Sequence, residues 1–265
     1  MKLRSIICVS AMAAVASASA LTSGNTFARL PITGNTYENA LIAIPFAGCG
    51  ETNAEIYVTN LVMTANLKAG DKLLYKDGNT YYAWRLTTDG GPWQQMATST
   101  DFGKTEVTPS AEQTTLPCGK GCWLVRSSAT IAADSTIYLF GQVNEGSLTT
   151  TVPASSDGTI ICRPFETGAI DLSEWQPTGV AVGDTISVPD STNPTGKKTY
   201  TYRNVENVGD RWTVQTTETK QGRRPGMTTV TVTDTPVTSG TTIPAGVAFM
   251  YGRYGNTDLT ITWTK

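Results

Sequence analysis

The chain has 265 residues, a formal net charge of −2, 16% charged residues and no histidine. This charge provides no basic surface for a phosphate backbone, which argues against nucleic acid as a partner. The lack of histidine excludes Ser-His-Asp and Cys-His catalytic sets and histidine-based zinc sites.

The first twenty residues have the pattern of an export signal. A positively charged start (MKLR) leads into an apolar stretch that ends in Ala18-Ser19-Ala20, a small-residue cleavage signal. We therefore expect the mature chain to begin at Leu21 and the protein to be secreted, periplasmic or on the cell surface. No later stretch reaches the roughly 18 apolar residues that a transmembrane helix needs.

Short runs of alternating apolar and polar residues follow, separated by turn residues. The turn at Asp77-Gly78-Asn79 lies between two such runs, which predicts a hairpin, and LTITW at 259–263 has the period of two that is typical of a strand. The spacing of apolar residues at 58–67 predicts one short helix at most. The pattern predicts an all-β fold built from small β-barrel or β-sandwich modules.

The two halves of the chain repeat the same motifs in the same order. Pro45-Phe46 matches Pro164-Phe165, Gly70-Asp71 matches Gly183-Asp184, Trp84 matches Tyr202, Trp93 matches Trp212, and LPCGKGCWLVR at 116–126 matches IPAGVAFMYGR at 243–253. Ordered self-similarity predicts a tandem pair of similar modules. The predicted organisation is a signal peptide at 1–20, an N-terminal arm at 21–38, a first module at 39–146, a linker at 147–157 and a second module at 158–265.

Four cysteines remain once Cys8 of the export signal is set aside. Cys49, Cys118, Cys122 and Cys162 form an even set in an oxidising compartment, which favours disulfides over a metal or redox site. On an extended strand Cys118 and Cys122 would lie ~13 Å apart, beyond disulfide reach. We expect Cys49 to pair with one of these two, while the full connectivity stays open. No metal and no cofactor are expected.

Two acidic residues allow two interpretations. Asp71 and Asp184 resemble the carboxylate pair of glycoside hydrolysis. Each, however, lies at the same place in a separate module just before a strand, where Asp commonly binds turn backbone. We favour the turn and predict no catalytic residue. Arg126 and Arg253 also recur, and strand arginines of this kind are usually solvated or salt-bridged.

Aromatic residues at strand positions are the remaining binding candidates. Trp84, Trp93, Tyr202 and Trp212 are the possible ligand-stacking residues, for example for sugars. Adjacent residues of a strand face opposite sides, so about half of the aromatic set must be buried. Core packing is the favoured interpretation for each one.

The order of an export signal, a Pro-Phe strand, a Gly-Asp step, a Tyr/Trp/Arg hairpin and the 243–253 strand resembles uncharacterised secreted β-rich proteins of the Planctomycetes and Verrucomicrobia group of bacteria. The resemblance spans most of the mature chain and implies no particular activity or site.

The sequence therefore predicts an exported, non-catalytic structural, assembly or binding protein of the cell envelope or extracellular space. The alternative is a carbohydrate-binding module or a carboxylate-dependent enzyme acting on glycans. Expected partners are further copies of the chain in a homo-oligomer or surface assembly, or a glycan. The 21–38 arm is the segment predicted to pair with a neighbouring chain.

Overall fold

The computed structural model describes the chain in ranges. These are residues 25–32, 39–45, 55–58, 62–63, 67–78, 80–98, 109–110, 114–127, 135–142, 147–163, 168–189, 197–221, 228–244 and 246–264. Nearly all regular structure in them is β-strand, which confirms the predicted all-β class.

The described residues of the first half form ten strands. They are β1 (Asn25–Ile32), β2 (Asn39–Ala43), β3 (Glu55–Tyr57), β4 (Val62–Met63), β5 (Lys72–Asp77), β6 (Thr80–Leu86), β7 (Trp93–Gln95), β8 (Thr115–Pro117), β9 (Gly121–Val125) and β10 (Ser135–Gln142). They form a five-stranded sheet in the order β2-β9-β5-β6-β7, a three-stranded sheet β1-β10-β4 and the pair β3-β8.

The residues of the second half that the structure describes form another ten strands. They are β11 (Leu148–Val152), β12 (Thr159–Cys162), β13 (Ile170–Asp171), β14 (Thr185–Pro189), β15 (Lys197–Val205), β16 (Gly209–Gln221), β17 (Thr228–Pro236), β18 (Thr242–Ile243), β19 (Ala248–Gly252) and β20 (Leu259–Trp263). They form a six-stranded sheet in the order β12-β19-β14-β15-β16-β17 and the pairs β13-β18 and β11-β20.

The strand order of the second half repeats that of the first. The sequence β12-β19-β14-β15-β16 corresponds to β2-β9-β5-β6-β7, and β17 is an additional strand at the end. The pairs β3-β8 and β13-β18 also correspond, as do β1-β10 and β11-β20. None of the sheets formed by the described residues closes into a barrel. The separate folding of each half as a module stays a prediction.

The hairpin match between the halves is shifted by two residues from the one that the motifs predicted. The Leu86 amide donates to the Asp71 carbonyl at 2.9 Å, and the Tyr202 amide donates to the Asp184 carbonyl at 2.8 Å. Tyr202 therefore occupies the place of Leu86 and not that of Trp84. A shift of two keeps every side chain on its face of the sheet, so the sequence pattern could not reveal it.

Three predicted segments contain strands with partners in the same chain. Within 58–67, where at most one short helix was expected, Val62–Met63 is strand β4 paired with β10. Within the predicted linker 147–157, β11 pairs with β20 and alternates buried and exposed residues. Within the predicted arm 21–38, β1 pairs along its whole length with β10. This pairing uses one edge of β1; its other edge has no partner among the described residues, and pairing of the arm with a neighbouring chain stays a prediction.

Each half has its own apolar core. The first is built on β2, β5, β6 and β9 and includes Leu73 and Trp84. In the second, Trp175 lies stacked between Trp212 and Trp263, with ring centroids 6.1 and 5.9 Å away. This stack joins the six-stranded sheet to the β11-β20 pair, and aromatic burial of this size contributes a large share of a small core's stability.

A third apolar cluster joins the two halves. From the first half it takes Ala43, Leu74, Ala83, Met96 and Trp123, and from the second Ile160, Cys162 and Ala248. The outer face of the five-stranded sheet therefore packs against the β12-β19 end of the six-stranded sheet. A shared buried cluster couples the unfolding of the parts that build it.

The turn Cys118–Cys122 forms the joint beside this cluster. The Cys162 amide donates to the Gly119 carbonyl at 2.9 Å, and Lys120 forms a β-bridge with Ile161. The Lys120 ammonium also donates to a backbone carbonyl of β11. Glycine is needed at 119 because φ is +82° there. The turn of the first half thus extends the second half's sheet edge at β12.

Gly121→Ala should destabilise both halves together. A Cβ at Gly121 would lie 2.5 Å from Ile160 Cγ2 and 2.7 Å from the Ile42 carbonyl oxygen. Overpacking of this kind costs about 1–3 kcal/mol. Urea unfolding should show this loss, and hydrogen exchange should accelerate in both β5 and β14.

Gly78→Asn is the matched control for this variant. Gly78 has φ +55°, and a Cβ at this position would have open space around it to 4 Å. Asn tolerates this backbone region better than most residues, so the control should stay close to the parent chain. Acceleration confined to β5 in the Gly121→Ala variant would contradict coupling through the joint.

Candidate functional site

Asp71 lies fully buried at the start of β5 in a set of hydrogen bonds. Its Oδ2 accepts from the Lys68 amide at 3.0 Å and lies 3.0 Å from Arg126 Nε. Its Oδ1 accepts from the Ser127 amide at 2.7 Å and the Ser127 hydroxyl at 2.9 Å. The carboxylate therefore ties the turn before β5 to the end of β9.

Asp184 has the same position and the same kinds of partner in the second half. Its Oδ2 accepts from Arg253 Nη1 at 2.6 Å, from the Tyr251 hydroxyl at 2.8 Å and from the Ala181 amide at 3.0 Å. Its Oδ1 accepts from the Tyr254 amide at 2.8 Å. Each half thus contains a buried carboxylate–guanidinium pair between the turn before a strand and the end of the neighbouring strand.

These pairs decide the role of the two acidic residues. Asp71 and Asp184 both have a relative exposure of 0%, so neither carboxylate can reach a polymeric substrate. Turn binding by Asp was expected from the sequence, but the arginine partners were missed. The recurrence of Arg126 and Arg253 was the signal that could have identified them.

The electrostatics of the second pair favour the ionised carboxylate. Burial alone would raise the pKa of Asp184. Hydrogen bonds from the Ala181 and Tyr254 amides, and then from Arg253 and Tyr251, outweigh that effect and hold the pKa below its ordinary value of 3.8. Burial raises the pKa of Tyr251, and the adjacent carboxylate adds to this rise, so its hydroxyl stays a donor.

Asp184→Asn should lower the free energy of unfolding at neutral pH by about 3–5 kcal/mol, because it leaves Arg253 buried without a counter-charge. The pair stabilises the native state fully above the unfolded carboxyl pKa near 3.8, and this stabilisation is lost as the pH falls through the lower folded value. Denaturant unfolding at several acidic pH values should therefore show that the free energy of unfolding decreases less with falling pH in the variant than in the parent chain.

The exposed Asp157 provides the control. Asp157→Asn should leave both the stability and its acid dependence close to those of the parent chain. Equal effects of the two substitutions would contradict the structural importance of the buried pair.

The four aromatic residues proposed as a stacking platform lie in the cores. Trp84, Trp93, Tyr202 and Trp212 are all buried. Tyr202 packs edge-on against Trp212 with ring centroids 5.2 Å apart, and the Trp212 indole donates to the Trp175 carbonyl. None of these rings offers a free face to a sugar.

The predicted disulfides are absent from the part of the chain that the structure describes. Cys118, Cys122 and Cys162 are free buried thiols, and Cys49 lies outside the described residues. Each thiol belongs to a different apolar cluster: Cys118 to that of the second half, Cys122 to that of the first, and Cys162 to the one between them. They act here as small apolar side chains around the joint.

Burial makes these thiols poor nucleophiles. It raises the pKa of Cys118 and of Cys122 to about 12, and it raises the pKa of Cys162 further. Since the thiolate is the reactive form, neutral thiols of this kind are inert. In the described residues, no group of three His, Cys, Asp or Glu is placed to hold a metal ion.

Alkylation should distinguish native from unfolded protein. We expect Cys118, Cys122 and Cys162 to resist iodoacetamide in the native protein and to react fully in urea without reductant, as measured by peptide mass spectrometry. Val208→Cys provides a positive control for labelling, because Val208 is 47% exposed. Disulfide-linked peptides among the three native cysteines would contradict the structure.

The open edge of the six-stranded sheet is the candidate binding site. β17 is the last strand in its sheet, is nine residues long, and has no partner among the described residues on its outer side. Val232 at its centre is 54% exposed. A long edge strand presents free backbone donors and acceptors, which can bind another strand.

The corresponding edge in the first half is protected. β7 has only three residues, and beside it Met96 forms a bridge with Pro109 while the Ser110 amide donates to the Gln95 carbonyl. Short length and a covering segment are the usual ways of blocking an edge. The contrast distinguishes β17 from the corresponding end strand of the first half.

Comparison of the chain with protein-family models, with curated proteins and with solved structures finds no match. No helix in the described ranges has the length and apolar character to cross a membrane. The site must therefore be interpreted from its own geometry.

Proposed function

We propose that the chain is an exported, non-catalytic assembly protein of the cell envelope or extracellular space, which binds its partners by strand addition at a sheet edge. The observation that carries this proposal is the open nine-residue edge of β17. Strand addition obtains affinity from backbone hydrogen bonds and so needs no polar pocket.

The joint between the halves supports an assembly role. It buries apolar residues from both halves in one cluster, so the β17 edge is carried on a connected body instead of a loosely tethered module. β17 joins this body through its pairing with β16, whose residues 209–214 also pair with β15.

The alternative of a glycan-binding or glycan-acting protein depended on side chains that are buried in the structure. Both carboxylates are held by arginine inside the protein, and the four aromatic residues are covered. Among the described residues no observation favours this alternative over assembly.

Purified mature protein, starting at Leu21, should associate with itself as its concentration rises and should not hydrolyse polysaccharides or esters. Sedimentation velocity over a wide concentration range measures the first property, and a panel of glycan and ester substrates measures the second. A protein that stays monomeric at every concentration, or one that cleaves a glycan, would contradict the proposal.

A further inference from the structure

We infer that β17 binds the β17 strand of a second copy of the chain, antiparallel and centred on Val232, so that two six-stranded sheets become one continuous sheet. This inference rests on the proposed assembly function and names its partner. The argument uses the hydrogen-bond register of β17, its symmetry and its charge.

The register identifies which backbone groups point outward. The Val237 amide donates to the Trp212 carbonyl at 3.0 Å, which directs residue 237 towards β16. Backbone groups of a strand alternate in direction, so residues 235, 233, 231 and 229 also face β16. Residues 228, 230, 232, 234 and 236 therefore present their amides and carbonyls to the open side.

The position of Pro236 agrees with this assignment. Proline has no amide hydrogen, and at 236 the missing donor falls on the outward side, where β16 loses nothing. The last outward amide of β17 is therefore that of Asp234, two residues before Pro236.

The outward-facing residue positions, 228 to 236, are centred on Val232. In an antiparallel pair of two β17 strands, Val232 meets its own copy, Val230 meets Asp234, and Thr228 meets Pro236. Every outward amide from 228 to 234 then faces an outward carbonyl of the other copy. A two-fold axis requires this antiparallel arrangement, because each copy must use the same surface.

The charge on the strand also allows self-pairing. Asp234 is the only charged residue of β17, and Arg203 of the same chain lies 4.0 Å from it. In the register centred on Val232 each Asp234 faces an uncharged residue, so the two like charges are kept apart. Lysine, a usual blocker of exposed edges, is absent from β17.

Cysteine cross-linking tests this register directly. In the mature chain Val232→Cys should form a disulfide-linked dimer, because residues in a hydrogen-bonded pair have Cα atoms about 5.5 Å apart, within disulfide reach. Val230→Cys is the matched control, since its two copies would lie about 14 Å apart. We expect Val232→Cys to cross-link roughly tenfold faster or more. The parent chain, with its native thiols, sets the background.

A proline variant tests the backbone contribution. Val232→Pro removes an outward amide without removing a bond to β16, and it should weaken association in sedimentation by roughly tenfold. Val232→Thr keeps the amide and should associate like the parent chain. Circular dichroism and melting confirm that both variants are folded.

The outcomes separate this inference from the proposed function. A parent chain that associates, with no preference for cross-linking at 232 over 230, overturns the β17 contact and leaves assembly through another surface. Failure of Val232→Pro to weaken association overturns it as well. A parent chain that is monomeric at every concentration overturns the proposed function itself.

Discussion

A buried carboxylate–guanidinium pair holds each half of this protein together. In both halves the aspartate before a strand binds an arginine at the end of the adjacent strand and the amide of the residue after it. Neither charge can stay buried alone without a large cost in free energy, so the turn and both strands must reach their places together. The preceding glycines, with φ of +91° at Gly70 and +103° at Gly183, allow the chain to enter that geometry.

The joint converts two similar halves into one connected body. The turn that contains Gly119 and Lys120 has an equivalent in the second half, where Gly246 also has a positive φ of +74°. In the first half alone the turn reaches the other half, by hydrogen bonds to β12 and by the side chain of Cys118 in the second core. The same local structure thus has a local role in one half and a connecting role in the other.

The two sheets also differ at their outer edges, and within the six-stranded sheet the two ends differ as well. The joint covers β12 at one end of the six-stranded sheet, while β17 at the other end stays open among the described residues. The added strand has no counterpart in the described part of the first half. Strand addition at that end extends the sheet away from the body without disturbing either core.

The all-β class, the turns and the recurring Gly-Asp, arginine and glycine positions could be predicted from the sequence, because they follow from local alternation and backbone preference. The same alternation indicated that about half of the aromatic residues would be buried. Three features were not predicted from the sequence: the contact of Asp184 with Arg253, the separation of Cys118, Cys122 and Cys162 as buried thiols, and the free edge of β17. They depend on which distant strands become neighbours, and a pattern with a period of two is unchanged by a shift of two residues.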